Sequence, residues 1–398
     1  MTPYSGRMNV LLGADSLALH RSGVGRMTLE IARELRRTPA VQALRLLVNG
    51  QVRGPAMLDA LPAQDGAMTV RPPGLVRRVG AWPAVRALRG WAVRAAIERE
   101  ATRLAAATHA PVVYHEPNMI AKPFRGPTVV TFNDLSWHDQ PGVHPPDRIA
   151  WIGRRLPATL RQATRFVAIS RFTADGMVRA LGLERAQIDV VPLAPSPLFR
   201  PYGQEEAAPV LARHGLADRG YILSVSTLEP RKNFDGLLVA WLRLPAPERL
   251  PLAIVGARGW GTVLAGGDAQ RAQASGQLRL LGPLRDAELA ALYARCAVFT
   301  YVSLYEGFGL PLLEAMASGA AVVASGTTAC GETAGDAALL VDPADPGAVA
   351  EAMRAAISDP VLAASLRAKG LAHASGYTWP RTVALLMASW TRAVTEHG

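Results

Sequence analysis

Short apolar, β-branched runs alternate along the chain with longer stretches in which apolar residues recur every three or four positions. A strand buried on both faces reads as a continuous apolar run, and its covering helix is apolar on one side only. The alternation therefore predicts parallel sheets with crossover helices. Two series of strands follow, at 9–13, 44–48, 112–114, 128–132, 166–169 and 188–191, then at 221–226, 252–256, 278–281, 298–302, 321–324 and 339–341. Between them residues 192–202 contain Pro192, Pro195, Pro197 and Pro201, a composition that resists helix and sheet and suits a hinge. The pattern predicts an α/β chain of two doubly wound domains, 1–200 and 201–378, with residues 379–398 forming a helix that returns to the first. The length of 398 residues, about twice a usual domain, agrees.

Composition adds to this picture in three places. Hydrophobic residues make up 49%, as in a globular protein, and no uncharged apolar run reaches the roughly 18–20 residues a bilayer requires. With no signal-peptide pattern at the start, the expected location is the cytoplasm. Residues 1–200 carry 27 Lys/Arg against 14 Asp/Glu, a net +13, and the remainder 16 against 18, a net −2, so the first half is suited to an anionic partner. Only three of the cations are lysines, and one of these is Lys232. Cys296 and Cys330 have neither zinc nor thioredoxin spacing and read as structural.

Three stretches carry candidate chemistry. In the run from Glu306 to Glu314, after the strand at 298–302, Pro311 marks a helix start and leaves the amides near Gly309 and Leu310 without intrahelical partners. Those amides and the positive end of the helix dipole can hold an anion, and the glycines let backbone approach a phosphate. Glu306 is placed in the preceding loop and Glu314 on the first turn, each suited to a sugar or ribose hydroxyl; a plain capped helix is the alternative. The second stretch, Ser226 to Asn233, carries adjacent cations Arg231 and Lys232 at the carboxyl edge of a strand, where open α/β sheets bind ligands. A departing diphosphate accumulates negative charge and needs such cations, although a solvated pair is possible. The third, Arg21-Ser-Gly23-Val-Gly25-Arg26, lies before a helix whose Met27, Ile31 and Leu35 share a face; it suits a phosphate cradle or a tight turn equally. Thr28 stands where a dinucleotide fingerprint has its third glycine, which disfavours a nicotinamide cofactor.

In this order and at these places the stretches resemble the retaining glycosyltransferases of family 4, which have the GT-B fold of two Rossmann-like domains facing a cleft. The likeness covers nearly the whole chain. It implies that Glu306 contacts the donor sugar and Glu314 the nucleotide ribose, that Arg231 and Lys232 neutralise the diphosphate, and that Gly23, Gly25, Gly256, Leu284, Phe308, Gly309 and Leu310 complete the donor site. Further matching stretches run from Tyr114 to Asn118, Thr131 to Ser136, Ile169 to Thr173 and Tyr377 to Trp379. They resemble the branch that adds mannose, rhamnose or related sugars to bacterial surface polysaccharides. A GDP-linked hexose donor and a glycan or polyprenyl-diphosphate-linked acceptor are thus expected. Many relatives have His-Asp where this chain has Asn133-Asp134. Asn133 still donates a hydrogen bond but carries no proton. His115 and His138, in neighbouring loops, and Asn118 are the acceptor-side candidates.

The resemblance also implies attack on the same face as departure, with the leaving diphosphate taking the acceptor's proton and no protein nucleophile. Glu306, Arg231, Lys232, Asn133 and Asp134 are the expected catalytic set. With no Asp-x-Asp signature, neither metal nor cofactor is expected. Segment 76–104 carries Arg77, Arg78, Arg86, Arg89, Arg94, Arg99 and Arg103 with Trp82 and Trp91; Leu88, Trp91 and Ala95 share one helical face, as in a helix lying on an anionic membrane. An ordinary packed helix is the alternative. Aromatic residues at 6%, without a recognisable motif, argue against nucleic acid. A non-catalytic sugar-nucleotide sensor or partner subunit, motivated by Asn133, is the competing expectation.

Overall fold

The computed structural model describes residues 6–19, 23–59, 83–246 and 248–397. The first sheet contains β1 (Met8–Gly13), β2 (Val41–Val48), β3 (Gln51–Arg53), β4 (Val112–Glu116), β5 (Thr128–Phe132), β6 (Arg165–Ala168) and β7 (Ile188–Val190). Their order is β3-β2-β1-β4-β5-β6-β7. The second contains β8 (Ile222–Val225), β9 (Leu252–Val255), β10 (Leu278–Gly282), β11 (Val298–Tyr301), β12 (Val322–Ser325) and β13 (Leu339–Val341), in the order β10-β9-β8-β11-β12-β13. Every pairing is parallel except β2 with β3. β1 is buried at all its positions, as a strand covered on both faces must be.

β3 is a short antiparallel edge that the apolar pattern does not announce. It follows Asn49 and Gly50, whose φ values of 51° and 78° make the two-residue turn that matches strand twist. In both sheets strand order reverses beside the first strand, between β1 and β4 and between β8 and β11. Loops leaving the carboxyl ends at such a reversal splay apart and form a crevice.

The chain crosses between sheets through residues 191–203, and the helix Trp379–His397 returns to the first. Its Val383, Leu386 and Trp390 are buried in one cluster with Met27, Ile31 and Leu35. Trp390 Nε1 donates to His115 Nδ1 at 2.8 Å, and Arg165 reaches Glu396 at 2.6 Å.

Helix Pro83–Thr108 packs through Val93, Ile97, Ala101 and Leu104 against Leu11, Leu47 and Tyr114. The face expected from Leu88, Trp91 and Ala95 is therefore not its core face: Trp91 is 70% exposed. Residues 76–82 and the side chains of 83–89, hence Arg77, Arg78, Trp82, Arg86, Leu88 and Arg89, lie outside the described residues, as do Arg21 and Ser22. Among the described residues no helix is long and apolar enough to cross a membrane. Both cysteines are free and buried, and burial pushes the Cys296 thiol up to about 12.

Candidate active site

On the second-domain side the chain leaves β8 into a turn ending in Pro230–Lys232. Asn233 closes it with φ 58° and anchors it by donating from Nδ2 to Val302 O at 3.1 Å and Pro343 O at 2.7 Å. The turn aims its cations at the loop after β11. Lys232 Nζ lies 2.5 Å from Glu306 Oε1, Arg231 Nη1 lies 3.3 Å from Glu306 Oε2, and the Tyr301 hydroxyl donates to Oε1 at 2.6 Å. Arg231 also donates to Tyr305 O at 2.9 Å, and its Nε lies 2.7 Å from Glu229. Burial raises the Glu306 carboxyl, but Lys232 and then Arg231 overcome that and hold it at about 2. Burial works against the Arg231 charge as well, and Glu306, Asp134 and Glu229 more than offset it. Here, then, is a buried cluster in which two cations face one carboxylate held in its charged form.

Helix Leu310–Ala317 begins just beyond, with Pro311 in its first positions and Gly309 ahead of it at φ 91°, where L side chains are strained. Glu314 falls on the second turn rather than the first, because helical geometry starts at Leu310. It is buried and faces the first domain. Arg26 Nη1 donates to it at 2.6 Å and Arg26 Nη2 to Asp286 at 2.7 Å. Burial raises the Glu314 pKa, with Arg26 acting to lower it.

The domains meet at several further points. Gly307 O accepts from Ser170 Oγ at 2.7 Å and Thr173 Oγ1 at 3.1 Å. A Cβ placed on Gly307 would fall on the Asn133 carbonyl oxygen, so only glycine permits this approach. Both Glu332 carboxylate oxygens accept first-turn amides of helix Arg171–Leu181, from Arg171 and Phe172, each at 3.0 Å. Tyr305 donates to Asp139 at 2.7 Å, and Trp260 Nε1 donates to Val143 O at 2.5 Å.

The structure thus brings together Glu306, Arg231, Lys232, Phe308, Gly309 and Leu310, with Asn133 and Asp134 pressed against Gly307. Asn133 Nδ2 donates to Pro117 O at 2.9 Å, while Asp134 Oδ1 accepts from Ser136 N and Oγ. Gly23 and Gly25 open helix Gly23–Leu35, which delivers Arg26. Gly256, with φ 155°, lies where a Cβ would meet the Ser226 carbonyl oxygen, and Leu284 packs half-buried against the core.

Three first-domain candidates are placed differently from expectation. His115 does not face the cleft. It is fully buried, Nε2 lies 3.0 Å from Thr131 Oγ1, Nδ1 accepts from Trp390, and burial holds it down at about 3. The strand's alternation turns its side chain to the sheet face that the last helix covers. His138 is exposed and paired with Asp139 at 2.9 Å, and Asn118 is exposed on the loop after β4, where its amide donates to Glu116 at 3.2 Å. Arg26, Tyr301, Ser170 and Glu332 escaped sequence reasoning as site residues. Arg26 had a usable signal, since it stands inside the glycine stretch.

Two Rossmann-like sheets with their reversal points face to face, and a carboxylate–cation cluster at the start of a helix, define a two-domain glycosyltransferase of the GT-B type. Comparison with known families agrees: residues 212–372 match "Glycosyl transferases group 1" and residues 22–194 match "Glycosyl transferase 4-like domain". The chain belongs to this glycosyltransferase family. It is 31% identical over 387 residues to an Escherichia coli O-antigen chain mannosyltransferase B, spanning 94% of this chain and 96% of that protein. An E. coli serotype-specific mannosyltransferase WbdA is 34% identical over 196 residues, 48% of this chain and 24% of its own length. Among solved structures, Anabaena Alr3699/HepE in complex with UDP and glucose superposes with TM-score 0.66 at 18% identity, covering 96% of this chain and 100% of that one. WaaG, a glycosyltransferase involved in lipopolysaccharide biosynthesis, has TM-score 0.66 at 14% identity, covering 96% and 98%. At such identities the likeness is one of fold.

Proposed function

We propose that the protein transfers a mannosyl residue from GDP-mannose, with retention of configuration, to a glycan carried on polyprenyl diphosphate, in assembly of an O-antigen or exopolysaccharide. The single observation that carries this is the Arg231–Lys232–Glu306 cluster at the start of helix Leu310–Ala317, facing the other domain. The E. coli O-antigen chain mannosyltransferase B, which aligns over nearly its full length, supports mannose.

Binding of the donor turns Lys232 and Arg231 from Glu306 to the diphosphate and frees Glu306 to accept hydrogen bonds from sugar hydroxyls. Glu314 exchanges Arg26 for the ribose hydroxyls. The bond from C1 to the diphosphate oxygen breaks, the acceptor oxygen bonds C1 on the same face, and the departing diphosphate takes the acceptor's proton. Preorganised cations stabilise the charge that develops on the leaving group, without metal or cofactor. The closed contact between domains excludes water that would hydrolyse the donor. Basic residues of 76–104, with Trp91 exposed, rest on the inner face of the cytoplasmic membrane beside the lipid-linked acceptor.

A thermal-shift panel of GDP-, UDP-, ADP- and dTDP-sugars tests the donor: a matched one at about 100 times its Kd stabilises by about 2.7 kcal/mol. Mass analysis and NMR of the product formed on a lipid-diphosphate glycan, with and without EDTA, test the acceptor, the retained anomer and the independence from metal. Binding without turnover favours instead a non-catalytic sugar-nucleotide sensor.

A further inference from the structure

We propose that His144 is a positioning residue for the transfer step: its imidazole fixes Asp134 through Ser136 and, by lying against Trp260, ties that setting to the closed arrangement of the two domains. This rests on the transferase function proposed above.

The chain of contacts is continuous. Ser136 Oγ donates to Asp134 Oδ1 at 2.8 Å, and the same carboxylate oxygen accepts Ser136 N at 3.1 Å. His144 Nε2 lies 2.9 Å from Ser136 Oγ. The hydroxyl's only hydrogen is committed to the carboxylate, so it accepts from the ring, and the imidazole proton resides on Nε2. Nδ1 is then a bare acceptor, buried and without a hydrogen-bond partner among the described residues. Across the domain boundary the Trp260 ring lies 5.7 Å from the imidazole, and its Nε1 donates to Val143 O, one residue before His144. Gly259 and Gly261, on either side of Trp260, sit so close to Thr227 and Pro230 that a Cβ would meet them. The Trp260 loop therefore rides on the turn that presents Arg231 and Lys232. At the other end of the chain, Asp134 Cβ presses on Gly307, next to Glu306. A set of touching groups thus links the cation turn of one domain to Asp134 of the other, with His144 and Trp260 meeting at the boundary.

The charged groups facing His144 are Arg148 from its own segment, Asp134 from the loop after β5 and Arg231 from the second domain. Burial, Arg148 and Arg231 favour the neutral ring; Asp134 opposes them. Protonation would leave the Nε2–H donation to Ser136 in place, and Asp134 and the Ser136 backbone favour the charged ring, so the positioning contact does not depend on the ring being neutral.

The test uses the full chain with a nucleotide sugar that it turns over, and compares kcat and donor KM for the wild type, His144→Phe, His144→Gln and Ser136→Ala. Loss of positioning lowers kcat by about tenfold to a hundredfold in His144→Phe and Ser136→Ala, with donor KM nearly unchanged. Glutamine places an amide N–H where Nε2–H was, so it retains most of kcat, a rescue that filling the space alone would not give. Wild-type kcat in a folded His144→Phe, or a His144→Gln variant that loses kcat as His144→Phe does, overturns the proposal. If His144→Phe does not fold, kcat of the other two variants decides: loss in Ser136→Ala with retention in His144→Gln supports the proposal, and any other pattern overturns it. A wild type that turns over no nucleotide sugar counts against the proposed function. In that case the ring is still tested by nitrogen NMR of labelled histidines, where a proton on Nδ1 of His144 overturns the assignment and one on Nε2 supports it.

Discussion

Arg26 of the first domain donates to the Glu314 carboxylate of the second at 2.6 Å, joining residues 288 positions apart, while its other terminal nitrogen holds Asp286. The Glu314 side chain is 1% exposed, so its charge depends on that contact. The carboxylate proposed above to hold ribose thus pairs with an arginine of the other domain.

Arg26→Met accordingly leaves Glu314 with the Tyr293 hydroxyl at 3.4 Å as its remaining hydrogen-bond partner among the described residues. Removing one member of a buried pair costs about 3–5 kcal/mol. Urea unfolding of Arg26→Met should show a loss of that order, with partial recovery in the double variant Arg26→Met/Glu314→Gln. Unaltered stability of the single variant would mean that water reaches Glu314 freely.

Glu306 sets a pH dependence with a definite sign. Against burial, Lys232 and Arg231 hold its carboxyl at about 2, below the ordinary 4.5. A carboxylate with a depressed folded pKa contributes stability that is complete above the unfolded value and disappears as pH falls through the folded one. The stability difference between the wild type and Glu306→Gln should be constant above about pH 4.5 and shrink between there and about pH 2. Chemical denaturation at stepped pH measures it. A gap that stays level through that window would show that Glu306 is not held ionised by these cations.

Legibility of the fold and of the site had different physical limits. β1 and β8 were visible because burial on both faces leaves runs that are apolar but for one buried polar residue each, Asn9 and Ser224. β3 was not, since Gln51 and Arg53 face solvent, and its information lay in the Asn49-Gly50 turn before it. Glu306, Gly309 and Pro311 were legible as a local motif with a local physical reason. Glu332 capping helix Arg171–Leu181, and Trp260 meeting His144, join residues more than a hundred positions apart, and no periodicity reports such pairs. His115 misled for the same reason. A strand ending at 114 would leave it in a loop, whereas β4 runs on to Glu116 and turns the ring to a partner 275 positions away.

Gly307 tests whether domain contact is part of the chemistry. A Cβ there would overlap the Asn133 carbonyl oxygen and lie 2.8 Å from Asp134 Cβ, so Gly307→Ala must push the domains apart at that point. Each domain should stay folded while kcat drops by about a hundredfold, the usual scale for reacting groups displaced by an ångström. Small-angle scattering should show a more open particle. Normal turnover with an unchanged scattering curve would place the chemistry away from this junction.

Trp390 separates a structural from a catalytic role for His115. The indole is fully buried and its Nε1 supplies the only proton to His115 Nδ1 among the described residues. Trp390→Phe keeps most of the packing but strands that nitrogen, and an unsatisfied buried acceptor costs about 1–3 kcal/mol. The melting temperature should fall while kcat and KM of the folded fraction stay at wild-type values, because His115 faces the returning helix rather than the cleft. His115→Gln should behave likewise. If either substitution lowered kcat in a protein of undiminished stability, His115 would have to reach the acceptor, and the orientation of β4 described here could not hold.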